Sequence, residues 1–115
     1  GQMNMRALIA ATVIGTALQV AMVFAGHFIP AVANLFAVAG ILISLVAGLL
    51  YARAARGGWS DSLLGGAVAG GLCALIGIAM SWAMGDVEAM LLALGTLSSA
   101  VGGVIGGAVG KVITK

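Results

Sequence analysis

Hydrophobic positions run through nearly the whole chain in four long stretches, separated by short polar segments. The stretches extend from about Ala7 to Ala25, Ile29 to Ala52, Leu63 to Met84 and Val87 to Ile113. A membrane-spanning helix needs about 20 predominantly apolar residues, and each stretch supplies about that number. The pattern therefore predicts an all-α integral membrane protein, a single domain built as a four-helix transmembrane bundle. The connections are short, so consecutive helices are expected to be antiparallel neighbours.

Composition supports the membrane interpretation. Hydrophobic residues make up 63% of the chain and charged residues 7%, whereas a soluble domain carries about 25% charged residues. A water-soluble fold of this size cannot bury so much apolar surface. Gly1 and Gln2 precede Met3 and are interpreted as a tag remnant. The first stretch is longer than the roughly 7–15 apolar residues of a signal peptide, so it is predicted to be a transmembrane helix.

The charged residues are distributed unequally between the two sides of a four-span arrangement. Every basic residue falls on one side: Arg6, Arg53, Arg56, Lys111 and Lys115. The loops on the other side contain no lysine or arginine. Because lysine and arginine are retained on the cytoplasmic side, we predict a cell-membrane protein with both termini cytoplasmic. In a Gram-negative organism this is the inner membrane. Five scattered basic residues do not indicate nucleic-acid binding.

Aromatic and capping residues fit the same arrangement. Trp59 and Tyr51 are expected at the cytoplasmic interface and Trp82 near the outer one, where amphipathic rings suit headgroup depth. Pro30 is expected in the first turn of the second helix, where its missing N–H costs nothing. Asp61 is expected to cap the start of the third helix.

A short pattern recurs in the second and fourth stretches. Gly40, Leu42, Ser44, Val46 and Gly48 reappear at a constant offset as Gly95, Leu97, Ser99, Val101 and Gly103. Two interpretations remain open: a duplicated two-helix hairpin, or coincidence in a chain rich in glycine and alanine. Hairpin repeats of this kind would be parallel, related by an axis along the membrane normal.

Glycines are frequent, and many of them form glycine-zipper patterns with a spacing of four. The chain has 19 glycines, well above the usual ~7%. Small residues let membrane helices approach closely, so the following positions are candidates for helix packing or oligomer contacts: Gly40, Gly48, Gly77, Gly95, Gly103 and Gly107. The fourth stretch carries a second ridge at Gly102, Gly106 and Gly110. If one bundle face uses only one ridge, the other is free for self-association.

Self-association is therefore expected in addition to contact with the lipid bilayer. A dimer is the first expectation because closed two-fold pairs are the commonest assemblies. Other membrane proteins are a further class of partner that glycine ridges can dock.

Polar side chains within the stretches are the candidates for function. They are Gln19, Asn34, Ser44, Thr16 and Ser99, which either bond neighbouring helices or line a polar path. The central part of each stretch contains no Asp, Glu, Lys or Arg. Coupled transport usually needs an ionisable group at depth, so its absence disfavours a proton- or sodium-coupled mechanism.

A second candidate group lies in the outer loops, at His27, Asp86 and Glu88. Such residues can bind a divalent metal or respond to pH, but on short loops they more often form a solvated rim, and we predict no metal and no cofactor. No nucleophile–base pair or phosphate-binding loop occurs, so an enzyme is not expected. The lone Cys73 excludes an intrachain disulfide and is expected to be a buried thiol.

Three functions fit these features. The first is a homo-oligomeric channel or passive transporter for a small solute or ion, with Gln19, Asn34 and Ser44 near its path. The second is a non-transporting accessory or scaffold subunit of a membrane complex. The third is a holin-like pore former. Polar groups on several helices favour transport, while the lack of charge at depth favours a scaffold. We favour transport, because a four-span protein with its own pseudo-symmetry looks self-sufficient.

Overall fold

The fold is an all-α bundle with four long helices. The computed structural model describes residues 4–33, 35–85 and 87–113. Its helices are α1 (Met5–Phe28), α2 (Pro30–Ala33), α3 (Phe36–Ala55), α4 (Trp59–Ala83) and α5 (Met90–Ile113). All except the four-residue α2 are long and apolar enough to cross a membrane. The predicted fold class is confirmed. Five residues of the sequence interpretation lie outside the described part: Asn34, Asp86, Lys115, Gly1 and Gln2.

Two helix boundaries differ from the sequence prediction. The second apolar stretch forms two helices, since α2 begins at Pro30 and α3 begins only after Leu35. At the other boundary, the extended backbone of Gly58 precedes α4, which starts at Trp59. Asp61 therefore lies inside the first turn of α4, and its predicted capping role is wrong. The end of α3 is marked by Arg56, which adopts the left-handed conformation with φ of 53°.

The four long helices share one charged end. The starts of α1 and α4 lie beside the ends of α3 and α5, and this end carries Arg6, Arg53, Arg56 and Lys111. We call it the basic end. His27 and Glu88 lie at the opposite end. The basic residues of the described chain thus gather at one end, as the sequence predicted, and Asp61 is the acidic residue beside them. The cytoplasmic placement of the basic end stays a prediction.

Helix α5 lies in the groove between α3 and α4 and makes its most extensive contacts with both. Its two glycine ridges face different helices. A Cβ atom built on Gly107 would overlap the carbonyl oxygen of Ser62 in α4. A Cβ atom built on Gly106 would overlap the carbonyl oxygen of Leu45 in α3. The expectation that one ridge stays free for self-association is therefore wrong, because a helix seated between two neighbours uses both.

The other predicted packing glycines fall into two groups. Cβ atoms at Gly48 and Gly103 would overlap backbone carbonyl oxygens of neighbouring helices, and one at Gly77 would lie 2.8 Å from the Cβ of Gln19. Gly40 and Gly95 are less restricted. A Cβ at Gly40 would have only ordinary contacts, the nearest at 3.8 Å, and one at Gly95 would meet the mobile end of the Ile78 side chain.

Helix α1 packs on α3 and α4, on the side away from α5. One close approach is at Gly15, where a Cβ atom would lie 3.0 Å from both the Ala47 Cβ and the Cys73 Sγ. These neighbours are side chains, whereas α5 meets the backbone of its partners. Helix α1 therefore packs less closely against α3 and α4 than α5 does.

We predict that Gly106→Ala destabilises the protein while Gly71→Ala does not. The new methyl group at residue 106 would displace the α3 backbone, and overpacking of this kind lowers the free energy of unfolding by about 1–3 kcal/mol. At Gly71, within α4, a Cβ atom would lie 3.5 Å from the Ala100 Cβ, an ordinary contact. Alanine there should be neutral or gain up to ~1 kcal/mol from helix propensity. Thermal unfolding in detergent micelles, followed by circular dichroism, measures both. Equal midpoints for the two variants would contradict the proposed close approach.

Candidate functional site

A buried polar cluster joins three helices at the middle of the bundle. Gln19 is 1% exposed, and its Nε2 donates to the carbonyl oxygen of Gly40 at 3.2 Å and to the Ser44 Oγ at 3.4 Å. The Ser44 Oγ donates to the carbonyl oxygen of Gly70 at 3.0 Å. The Cys73 Sγ donates to the same carbonyl at 3.2 Å. We call Gln19, Ser44 and Cys73 the central polar cluster.

The position of Gln19 follows from the periodicity of α1. It belongs to a buried stripe with spacings of three and four that includes Ala11, Gly15 and Val23, as residues on one helix face do. The absent side chain of Gly77 makes room for Gln19. Of the two roles that the sequence left open for Gln19, its hydrogen bonds fit interhelical contact. Ser44 has the same role.

A cavity adjoins this cluster in the half of the bundle opposite the basic end. Its volume is about 390 Å³, and it lies between α1, α3, α4 and α5. Ligand sites have volumes of about 300–1,000 Å³, so this one is at the lower end of that range. The polar side chains among its described lining residues are Gln19, Ser81, Ser98 and Ser99, and none of those lining residues is ionisable. Gly40 and Gly95 also line the cavity, which explains their looser surroundings.

Between Gln19 and the basic end, the helices pack closely. There the side chains of Ala47 and Cys73 leave no room for even a Cβ atom on Gly15, which would lie 3.0 Å from both of them. Ala47, Ala69 and Cys73 have no exposed surface. Within the described part of the chain, the cavity therefore ends at the central polar cluster.

Ser81 is a deeply buried polar residue of the cavity lining. The residue is 2% exposed, and its Oγ makes no hydrogen bond within the described structure. Hydroxyls in helices usually bond their own backbone, and an unsatisfied buried polar group costs about 1–3 kcal/mol. Sequence reasoning gave Ser81 no role of its own. The available signal was its position four residues after Gly77, on the face of α4 that receives α1.

The remaining predicted site residues are dispersed. Ser99 lines the cavity and is 4% exposed. Thr16 does not line it, and its hydroxyl is buried without a hydrogen-bond partner among the described residues. His27 and Glu88 are exposed at the opposite end, where the His27 ring contacts Phe28 edge-on at 5.0 Å between centroids. Within the described ranges, no three His, Cys, Asp or Glu side chains are placed to hold a metal ion.

A second hydrogen-bonded group lies at the basic end. The Tyr51 hydroxyl donates to the Asp61 Oδ1 at 2.8 Å and accepts from the backbone N–H of Asn4 at 3.1 Å. Tyr51 has no exposed surface and Asp61 is 7% exposed. The ring of Tyr51 is buried in the bundle, because the absent side chain of Gly65 admits it. Its placement at the depth of the membrane interface stays a prediction. We call Asn4, Tyr51 and Asp61 the basic-end lock, since they tie α1, α3 and α4 together.

Similarity to known proteins does not assign this site. No protein-family model, curated protein or solved structure matches the chain. Any functional interpretation therefore depends on the geometry of the central polar cluster, the cavity and the basic-end lock.

We predict that Tyr51→Phe destabilises the protein more than Asp61→Asn does. Phenylalanine leaves the buried Asp61 carboxylate and the Asn4 N–H without the hydroxyl that bonds both, which costs about 1–3 kcal/mol. Asparagine at residue 61 retains an oxygen that accepts from Tyr51. Thermal unfolding in micelles measures both changes, with the exposed Ser60→Ala as the control. Wild-type stability of Tyr51→Phe would show that the lock does not hold the helices.

Proposed function

We propose that the protein is a passive transporter for a small uncharged solute. The observation that carries the proposal is the cavity of about 390 Å³ that ends at Gln19. It lies among four helices long enough to span a membrane, in the half of the bundle opposite the basic end, and it ends at Gln19 about halfway along the bundle. Substrate sites of membrane transporters lie near the bilayer midplane, and a cavity that reaches the middle of the bundle is consistent with such a site.

Closure toward the basic end favours a transporter that changes conformation over a permanently open pore. Below Gln19, the side chains of Ala47 and Cys73 fill the space beside Gly15. Further along, the basic-end lock joins the start of α1 to α3 and α4. A solute in the cavity would reach the basic end only if these two contacts opened.

The chemistry of the cavity wall favours an uncharged solute over an ion. The described lining residues are apolar or neutral. An ion taken from water into such surroundings without a paired charge loses several kcal/mol of hydration energy. The neutral lining also offers no group that could couple transport to a proton or sodium gradient.

The packing indicates which helix would move. Helix α5 meets α3 and α4 through backbone contacts at its glycines, so these three helices form a rigid unit. Helix α1 is attached through side chains, above all Gln19 and the bond from Asn4 to Tyr51. Displacement of α1 would therefore open the cavity toward the basic end without separating α5 from its neighbours.

The second candidate is a non-transporting subunit that supports other membrane proteins. The observation in its favour is the rigid α3–α4–α5 unit, which suits a scaffold. Because the glycine ridges of α5 are occupied inside the chain, a partner or a second copy would have to bind lipid-facing side chains such as Leu97 and Val101, which are 67% and 61% exposed. Purification with a stoichiometric membrane partner, without solute flux, would favour this candidate.

We expect reconstituted protein to accelerate the passage of small uncharged solutes through liposomes. Stopped-flow light scattering with glycerol, urea and butanediol measures this, with potassium and chloride fluxes as charged comparisons. Ser81→Leu should lower the flux, because the larger side chain takes up part of the cavity. Ser60→Ala, at the exposed basic end, should behave like the wild type. Absence of flux for all three solutes, or full flux through Ser81→Leu, would overturn the proposal.

A further inference from the structure

The pattern that recurs in the sequence also recurs in the packing of the helices. The offset of 55 residues that relates Gly40 to Gly95 also relates buried positions of α1 to buried positions of α4, and those of α3 to those of α5. The buried pairs include Gly15 with Gly70, Gln19 with Ala74, Ser44 with Ser99, and Gly48 with Gly103. Helices α1 and α3 therefore turn the same faces toward the bundle interior as α4 and α5 do.

Between α1 and α3, a side-chain amide occupies the space that this arrangement creates. The Gln19 Nε2 donates to the carbonyl oxygen of Gly40 and to the Ser44 Oγ. Residues 40 and 44 are one turn apart on the same face of α3. A single amide nitrogen has two N–H donors, so it can bond both acceptors.

Between α4 and α5, the corresponding space is empty. The counterpart of Gln19 is Ala74, whose side chain is a single methyl group. A Cβ atom built on Gly70, one turn before Ala74, would lie 3.0 Å from the carbonyl oxygen of Ser99. Ala74 is thus next to the turn of α5 that runs from Gly95 to Ser99, and all three residues line the cavity.

The hydroxyl at the second position is available to a ligand. Ser99 is 4% exposed, and its Oγ has no hydrogen-bond partner in the described part of the chain. The hydroxyl of Ser81 is fully enclosed by protein, whereas that of Ser99 retains accessible surface in the cavity. Ser44, its counterpart in α3, is bonded to the Gln19 amide instead.

We infer that the cavity binds a small neutral primary carboxamide, whose NH₂ group donates to the Ser99 Oγ and the Gly95 carbonyl oxygen as the Gln19 amide donates to α3. The inference rests on the proposed function, since it names the class of solute that would be carried. A helix carbonyl has a second lone pair beside the one used in its own helix, and Gly40 shows that such a carbonyl can accept an amide N–H.

The rest of the lining selects for a short apolar body without charge. Val23, Ile78 and Leu94 contribute apolar side chains, and burial of apolar surface among them is favourable. A carboxylate has no N–H donor and would lose hydration that the neutral lining cannot replace. The volume of about 390 Å³ is near the lower limit for ligand sites, so an amide with a short alkyl chain fits.

Fluorine NMR on the full chain in detergent micelles tests the inference with three probes of matched size. They are trifluorobutyramide, trifluoropentanone, in which a methyl group replaces the NH₂, and trifluorobutyrate. The wild type should bind the amide about five- to a hundredfold more tightly than the ketone, which is the ratio that two net hydrogen bonds provide. Binding of the carboxylate should be undetectable. Equal affinities for the amide and the ketone would overturn the inference.

Ser99→Ala removes one of the two acceptors and leaves the apolar lining in place. It should reduce the advantage of the amide over the ketone about two- to tenfold, the contribution of one net hydrogen bond, without changing the affinity for the ketone. Ser60→Ala, at the exposed basic end, should match the wild type. An undiminished advantage of the amide in Ser99→Ala would overturn the role of Ser99.

Ala74→Gln supplies the amide from the chain itself, and Ala74→Met is its matched control, with a side chain of similar length and no N–H donor. The new glutamine should occupy the site, so specific binding of trifluorobutyramide should be lost. Its thermal midpoint should be no lower than that of Ala74→Met, because a buried amide is costly only when it finds no partner. A much lower midpoint than Ala74→Met, or wild-type binding of the amide probe, would overturn the site.

These measurements distinguish the inference from the transport proposal. Amide binding that depends on Ser99, together with no solute flux in liposomes, would support the site and overturn transport. Flux of uncharged solutes that Ser81→Leu lowers, together with equal binding of the amide and the ketone, would leave transport standing and overturn the carboxamide as its solute.

Discussion

The close backbone approach of α5 to α3 and α4 is the interaction on which the rest of the structure depends. In lipid there is little hydrophobic drive between helices, so association relies on tight packing and interhelical hydrogen bonds. Carbonyl oxygens of α3 and α4 occupy the space that side chains would need at Gly106 and Gly107. Because both ridges of α5 are engaged, three helices form one unit, and the fourth must attach by other means.

Helix α1 attaches through polar side chains, and this difference creates the candidate site. The Gln19 side chain donates a hydrogen bond to the backbone carbonyl of Gly40 in α3. At the basic end, the Tyr51 hydroxyl accepts one from the backbone N–H of Asn4. Between these two attachments the helices pack through small side chains. Beyond Gln19 they diverge enough to leave a cavity. The same residue type therefore has opposite effects: glycine closes the bundle where backbones meet and leaves space where they do not.

The sequence identified part of this site. Gln19 and Ser44 were recognisable because polar side chains are rare in apolar stretches, and the structure places both in the central polar cluster. Ser81 could not be singled out, because several hydroxyl residues lie at similar depth and only the packing of the helices decides which of them line a cavity. Tyr51 and Asp61 were assigned to interface and cap roles that suit their positions along the chain. Their actual contact depends on how far α3 and α4 are rotated toward each other.

The sequence by itself determined that the chain is an all-α protein with four helices of membrane-spanning length, and that its basic residues gather at one end. Hydropathy, segment length and charge order are properties of position along the chain, so they need no knowledge of helix rotation. Only the tertiary structure decided that both ridges of α5 are buried, that Tyr51 and Asp61 meet, and that a cavity lies beside Gln19. These features depend on the rotation and spacing of helices, which apolar residues on every face leave undetermined.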